Sequence, residues 1–233
     1  MASRKSRPER RQEPLSRERI VAAAVELLDT VGEGGLTFRA LAERLVTGPG
    51  AIYWHVTGKT ELLAAAIDAV ITPVLAGDDT GATPQEAIRA LALGVFDAID
   101  AHPWVGTTLA QLPRTPGKSP MLRVFERIGR QVQALHVPEA AQFTAASALL
   151  SYILGVAGQN AANTRAARAN PDRTAFLDAV ATAWRELDPV EYAFTRDVAG
   201  QLRAHDDRAE FLAGIDLILA GITAGRADGR TGP

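Results

Sequence analysis

The sequence contains no cysteine, two methionines and few aromatic residues, with three Trp, three Tyr and seven Phe in 233 positions. Without thiols there is neither a disulfide framework nor a thiolate metal site, and an extracellular origin gains no support, so a cytoplasmic address is expected. No run of 18 or more apolar residues occurs, and the basic start is not followed by an apolar h-region; neither export nor a membrane partner is expected. The four histidines, His55, His102, His136 and His205, lie far apart and lack metal-ligand spacing. A phosphate loop of the Walker or dinucleotide type and a G-x-S-x-G elbow are also missing, which leaves an all-helical enzyme as a weak reading and implies no cofactor. Strand signals are scarce, since no segment sustains apolar and polar alternation.

What is present is a helical pattern. Hydrophobic residues make up 47% of the chain and charged residues 22%, ordinary globular composition in which alanine-rich stretches repeat apolar residues at i, i+3 and i+4. The expected fold class is all-α. Residues 1–14 read as a basic disordered arm, where Arg4, Lys5, Arg7, Arg10 and Arg11 face only Glu9 and Glu13; such an arm tracks phosphates or is simply a solvated tail. A first helix starts at "LSRERI", with Ser16 as N-cap and Leu15 placed to staple against Ile20. It should bury Ile20, Ala24, Leu27, Leu28 and Val31 and stop at Gly32. "LTFRAL" repeats the device with Thr37 as cap and Leu36 set against Leu41, and this second helix ends near Leu45. Gly48 and Pro49 open a third, very short helix that ends before Gly58. A longer one runs from Lys59 and meets Pro73. Further helices are expected at 84–101, 103–111, 121–136, 138–168, 173–187, 190–204 and 207–224, with "LPRTPGKSP" as a mobile loop.

Two short helices joined by a tight turn form a helix-turn-helix, a shape that suits the B-form major groove, which is roughly 12 Å wide and admits one helix. The second helix, Pro49 to His55, leads with the small residues Pro49, Gly50 and Ala51, so its backbone can approach base edges. Tyr53 and His55 can reach phosphates through a hydroxyl and a ring N–H. A lysine in the first turn of a helix is disfavoured by the macrodipole, so Lys59 suits an external anion shared with that helix end. Trp54 is expected to pack against the first helix, because adjacent helical residues point about 100° apart and cannot all face DNA.

Through "LTFRALAERL", "GPGAIYWHV" and "GKTELL" the chain resembles the TetR family of bacterial transcriptional repressors from Ile20 to Leu63, and Tyr53-Trp54-His55-Val56 is especially similar to the tetracycline-repressor branch. The resemblance implies a helix-turn-helix DNA-binding domain over residues 15–62 and a helical effector-binding and dimerisation domain over 63–225. It further implies a homodimer on palindromic double-stranded operator DNA, released by a small-molecule effector. Carried over residue by residue, Arg39 reads a guanine, Pro49, Gly50 and Ala51 face bases beside the capping Gly48, and Thr37, Tyr53, His55 and Lys59 hold phosphates. The chain departs from the family in the turn, where Val46 and Thr47 replace a glycine and a small apolar residue. A β-branched Val46 resists φ > 0, so the turn is expected to be reshaped. Gly58 stands where a polar cap is usual.

In similar proteins the two helices corresponding to those from Pro138 and Asp207 form a four-helix bundle across a twofold axis. The apolar residues Leu149, Leu150, Ile153, Leu154, Phe211, Ile215, Ile218 and Leu219 are the expected dimer interface, with Gly155, Ala157 and Gly158 permitting close approach. Residues with apolar bulk and a polar handle, namely Phe96, His102, Trp104, Phe125, Tyr152 and Gln159, are the candidates for an effector pocket taking a mostly apolar ligand. The alternative is a constitutive DNA-binding protein without effector.

Overall fold

The computed structural model describes residues 14–77, 80–111, 120–167 and 172–228; the basic arm before Pro14 and the loop over 112–119 lie outside the described residues. Among the described residues there are eleven α-helices, one 3-10 stretch and no strand. The chain divides into two units, Met1–Ala66 and Ile67–Pro233.

In the first unit, α1 (Arg17–Gly35) begins on Ser16, whose hydroxyl accepts the Arg19 amide at 3.3 Å. Ile20, Val21, Ala24 and Leu28 are its buried face. The helix does not stop at Gly32 but kinks there, at φ 70° and ψ −177°, a backbone region that is essentially glycine's alone. Val31, expected inside, is exposed just before the kink. Thr37 caps α2 (Phe38–Leu45) by accepting the Ala40 amide at 3.0 Å, and Leu41 and Ala42 are buried.

The turn after α2 is not reshaped by its β-branched residue. Val46 adopts the left-handed conformation, φ 53° and ψ 51°, and the turn closes as a Schellman motif: the Thr47 amide donates to Ala42 O at 3.0 Å and the Val46 amide to Glu43 O at 3.3 Å. Two satisfied carbonyls offset a backbone cost of roughly 1–2 kcal/mol. Gly48 and Pro49 then start α3 (Pro49–Tyr53), with Pro49 at the first helical position. Ile52 and Val56 anchor this segment in the core.

Helix α4 (Lys59–Leu75) begins in the first unit and continues beyond Ala66. Pro73 does not end it, because a proline in the last turn removes a single amide close to where the ladder finishes anyway.

In the second unit α5 (Pro84–Ala101) opens with a capping box, Thr83 and Glu86 bonding each other's backbone amides. α6 (Trp104–Gln111), α7 (Pro120–Ala134) and α8 (Glu139–Ala167) follow. α8 is long and apolar enough, by length and composition, to cross a membrane, but here α5, α6, α7 and α11 (Asp207–Asp228) pack against it. The shared core is Ile88, Val95 and Ile99 of α5, Val124, Ile128 and Val132 of α7, Leu149 and Ile153 of α8, and Phe211 and Ile215 of α11. α7 also grips the end of α4: Arg123 bonds Asp68 and, at 2.9 Å, the Thr72 hydroxyl, while Arg127 donates to the carbonyls of Val74, Leu75 and Gly77.

α9 (Arg173–Glu186) packs with a thinner set of partners. The helix expected over 190–204 is instead α10 (Ala193–Val198) followed by a 3-10 stretch, Gln201–Ala204. Asp188 caps the preceding turn through the Val190 and Glu191 amides, and Val190, Tyr192 and Phe194 are exposed, so no buried face sustains a longer helix.

Candidate nucleic-acid interface

Thr37, Arg39, Gly48, Pro49, Gly50 and Tyr53 are all exposed, and Ala51 and His55 are half-buried. Thr37 is engaged in capping. The Arg39 guanidinium pairs with Glu43 one turn along at 3.0 Å, an exposed i, i+4 pair worth a few tenths of a kcal/mol, about 0.3–0.5, and therefore easily exchanged for another acceptor. Gly48, Pro49 and Gly50 present no side chain longer than a pyrrolidine ring, which leaves the start of α3 open to close backbone approach.

The end of α3 is held by an aromatic contact that sequence reading missed. The Tyr53 ring lies flat on Phe38, with centroids 4.4 Å apart and planes 10° apart. Phe38 and Tyr53 are fifteen positions apart on different helices, so no local spacing signals the pair. Trp54 does not pack against α1: it is 90% exposed. Ile52 and Val56 already occupy the inward side, and a residue midway between them is turned about 200° from Ile52, outward.

Lys59 sits at the first residue of α4 and donates to Glu33 O at 2.8 Å, so it joins that helix start to the end of α1. Glu61, in the first turn of α4, reaches back past Gly58: it accepts the Thr57 amide at 2.7 Å, the Thr57 hydroxyl at 2.7 Å and the Arg17 guanidinium at 2.9 Å. The Thr57 amide first, then Arg17 and the Thr57 hydroxyl, hold the Glu61 carboxyl down at about 2.

The second-unit candidates are dispersed. Phe96, Phe211 and Tyr152 stack in series at 4.7 and 5.7 Å, and burial, then the nearby Glu210 carboxylate, raises the pKa of the Tyr152 hydroxyl. His102 meets Trp104 edge-on, Phe125 meets Phe143, and Gln159 is exposed. Of these six, Phe96 lines a described cleft. An open cleft of about 320 Å³ is lined by Phe96 together with Asp97, Asp100, Thr164, Arg173, His205, Asp206, Asp207 and Arg208. Its margins carry the ion pairs Arg173–Asp207 at 2.7 Å and Arg208–Asp97 at 3.1 Å, and nearly buried Asn160 donates to Asp100. It is more polar than the expected pocket.

The expected interface residues divide. Leu149, Ile153, Phe211, Ile215 and Leu219 are buried in the chain's own core, while Leu150, Leu154 and Ile218 are half-buried. The approach at Gly158 is also internal: a side-chain carbon on Gly106 of α6 would lie 3.2 Å from the Gly158 Cα. Outward on α8 and α11 are Ala148, Ser151 and Gly155 and, on the other helix, Leu217, Ala220 and Ala224.

The family described as bacterial regulatory proteins, tetR family, matches residues 20–66, and the tetracyclin repressor-like C-terminal domain matches residues 77–226. An HTH-type transcriptional regulator of Saccharopolyspora erythraea is 31% identical over 228 residues, 94% of this chain and 90% of its own length. The solved structure of SCO7222, a TetR from Streptomyces coelicolor, is 66% identical with a TM-score of 0.82, covering 91% of this chain and 99% of that one. The Streptomyces coelicolor TetR family protein ActR in complex with actinorhodin shares the fold at a TM-score of 0.73 and 23% identity, over 91% of this chain and 99% of its own.

Proposed function

The chain belongs to the TetR family of transcriptional regulators, and from that premise we propose that it is a repressor that binds a palindromic operator as a homodimer and leaves it when a small molecule binds the second unit. The observation that carries the DNA-binding part is the exposed start of α3, whose small residues Gly48, Pro49 and Gly50 leave the backbone open, with Arg39 and Tyr53 also exposed and the helix itself locked by Ile52. In this reading Arg39 reads a guanine edge, Pro49, Gly50 and Ala51 meet bases, and Thr37, Tyr53, His55 and Lys59 hold phosphates. One five-residue helix reads few base pairs, which favours a twofold pair of them on the operator. The outward small residues of α8 and α11, with Leu217, suit close helix packing between copies.

ActR holding actinorhodin supports a small-molecule effector, since the same fold accommodates one there. The second reading, a DNA-binding protein without effector, is favoured by the packed state of Trp104 and Phe96. Titration of the purified protein against its own upstream intergenic DNA, with the mass of the complex, tests the proposal. Saturable, salt-sensitive binding by a dimer is expected. A monomer on DNA, or no binding to any duplex at low salt, overturns it.

A further inference from the structure

Phe38 is the first residue of α2 and lies between Thr37 and Arg39; Tyr53 is the last residue of α3. The Schellman turn joins α2 to α3 at one end, and the Phe38–Tyr53 stack joins their other ends. Tyr53 is 55% exposed, and among the described residues its hydroxyl has no protein hydrogen-bond partner. A side chain that exposed would ordinarily sample several rotamers. The stack favours one of them: with the ring lying flat against a half-buried neighbour, the contact biases both side-chain torsions, and with them the direction of the hydroxyl oxygen, before any ligand arrives.

We propose that Phe38 is a positioning residue for DNA binding, which acts by holding the Tyr53 ring so that its hydroxyl is presented ready-made to a backbone phosphate. The inference rests on the DNA-binding reading above and adds to it a residue that never touches the phosphate itself. Preorganisation of this kind spares the complex the loss of rotamer freedom that a mobile tyrosine would suffer on binding. Phe38 thereby couples the base-reading end of α2 to the phosphate-binding end of α3.

The test is a double-mutant cycle read by fluorescence anisotropy, using a labelled duplex that the wild-type protein recovers from a random-sequence pool and a second, unrelated duplex at low salt. In the wild-type background Tyr53→Phe should weaken binding to both duplexes by about tenfold, the loss of one hydrogen bond to a charged oxygen. In a Phe38→Leu background, which keeps the apolar volume but loses the ring, the same change should cost less than about twofold. Phe38→Tyr, which keeps the ring, should restore the tenfold effect, and thermal melts of each variant establish that all are folded. An equal loss from Tyr53→Phe in both backgrounds overturns the positioning role while leaving Tyr53 on the phosphate. No loss in the wild-type background removes Tyr53 from the phosphate and Phe38 with it. Failure of the wild-type protein to bind any duplex overturns the DNA-binding reading as a whole.

Discussion

Helices α3 and α10 are nearly the same length, five and six residues, and neither would persist alone, since isolated helices of one or two turns do not survive in water. Their surroundings differ. α3 has Pro49 at its start, Ile52 and Val56 in the core and the Phe38 stack at its end. α10 buries no residue and is held mainly by Arg196, which donates to the carbonyls of Arg185 and Leu187 at the end of α9. One short helix is fixed by buried Ile52 and Val56 and by the Phe38 stack; the other hangs on polar bonds at the surface. In this molecule the shortest helix with the most anchors is the one proposed to face DNA.

The strongest way to break that contrast is Ile52→Ala, which deletes a fully buried side chain. A loss of about 2–5 kcal/mol in the stability of the first unit is expected in denaturant titration; a loss below about 1 kcal/mol would mean that α3 is not locked by its core contact. Next comes Lys59→Ala, which should weaken binding to all sequences alike and flatten the salt slope by roughly one unit. A change confined to one operator would contradict a phosphate role for Lys59. Val46→Gly relieves a left-handed valine and should raise the stability of the first unit by about 1 kcal/mol, because glycine adopts that conformation without strain. An unchanged or lower melting point would show the valine side chain contributing more than its backbone costs.

Glu61 gives the contrast a pH dependence. Its folded carboxyl is held at about 2 against an ordinary 4.5, so the stability it contributes is fully present above pH 4.5 and lost as the pH falls from there toward 2. Because the side chain is about a third exposed, with 36% of its surface open, solvent screening keeps the effect modest. Glu61→Gln should flatten the acid limb of the first unit's stability curve, and an unaltered limb would exclude the carboxylate as its source. Smallest of all, Phe194→Ala on α10 should change stability by no more than about 0.5 kcal/mol, since its ring is already exposed.

The parts legible in the sequence are those whose physics is local. Ser16 and Thr37 announce helix starts because a cap and its amide lie three positions apart, and the Gly48–Pro49 pair does so because proline's fixed φ suits the first helical position; the helix-turn-helix follows from those marks. Contacts between distant positions were not legible. Leu149 and Ile153 have the same periodic apolar signature whether they meet α5 or another copy, so periodicity cannot assign them to an interface, and the structure buries them internally. Trp54 departs from the expectation because Ile52 and Val56, not the aromatic run, fill the inward side of this segment. Val46 departs for a different reason: the strain of its left-handed backbone is offset by the two carbonyls that the turn satisfies.

The arginines of α7 bear on how α4 ends. The last carbonyls of a helix have no partner within it, and those of Val74 and Leu75, with Gly77 just beyond, are closed by Arg127 from another element, while Arg123 holds Thr72 about one turn earlier and Asp68 about two. The terminus of α4 is thus borrowed. Drawing α7 away would uncover these acceptors together and let the final turn fray back toward Asp68, so the length of α4 is itself set by where α7 lies.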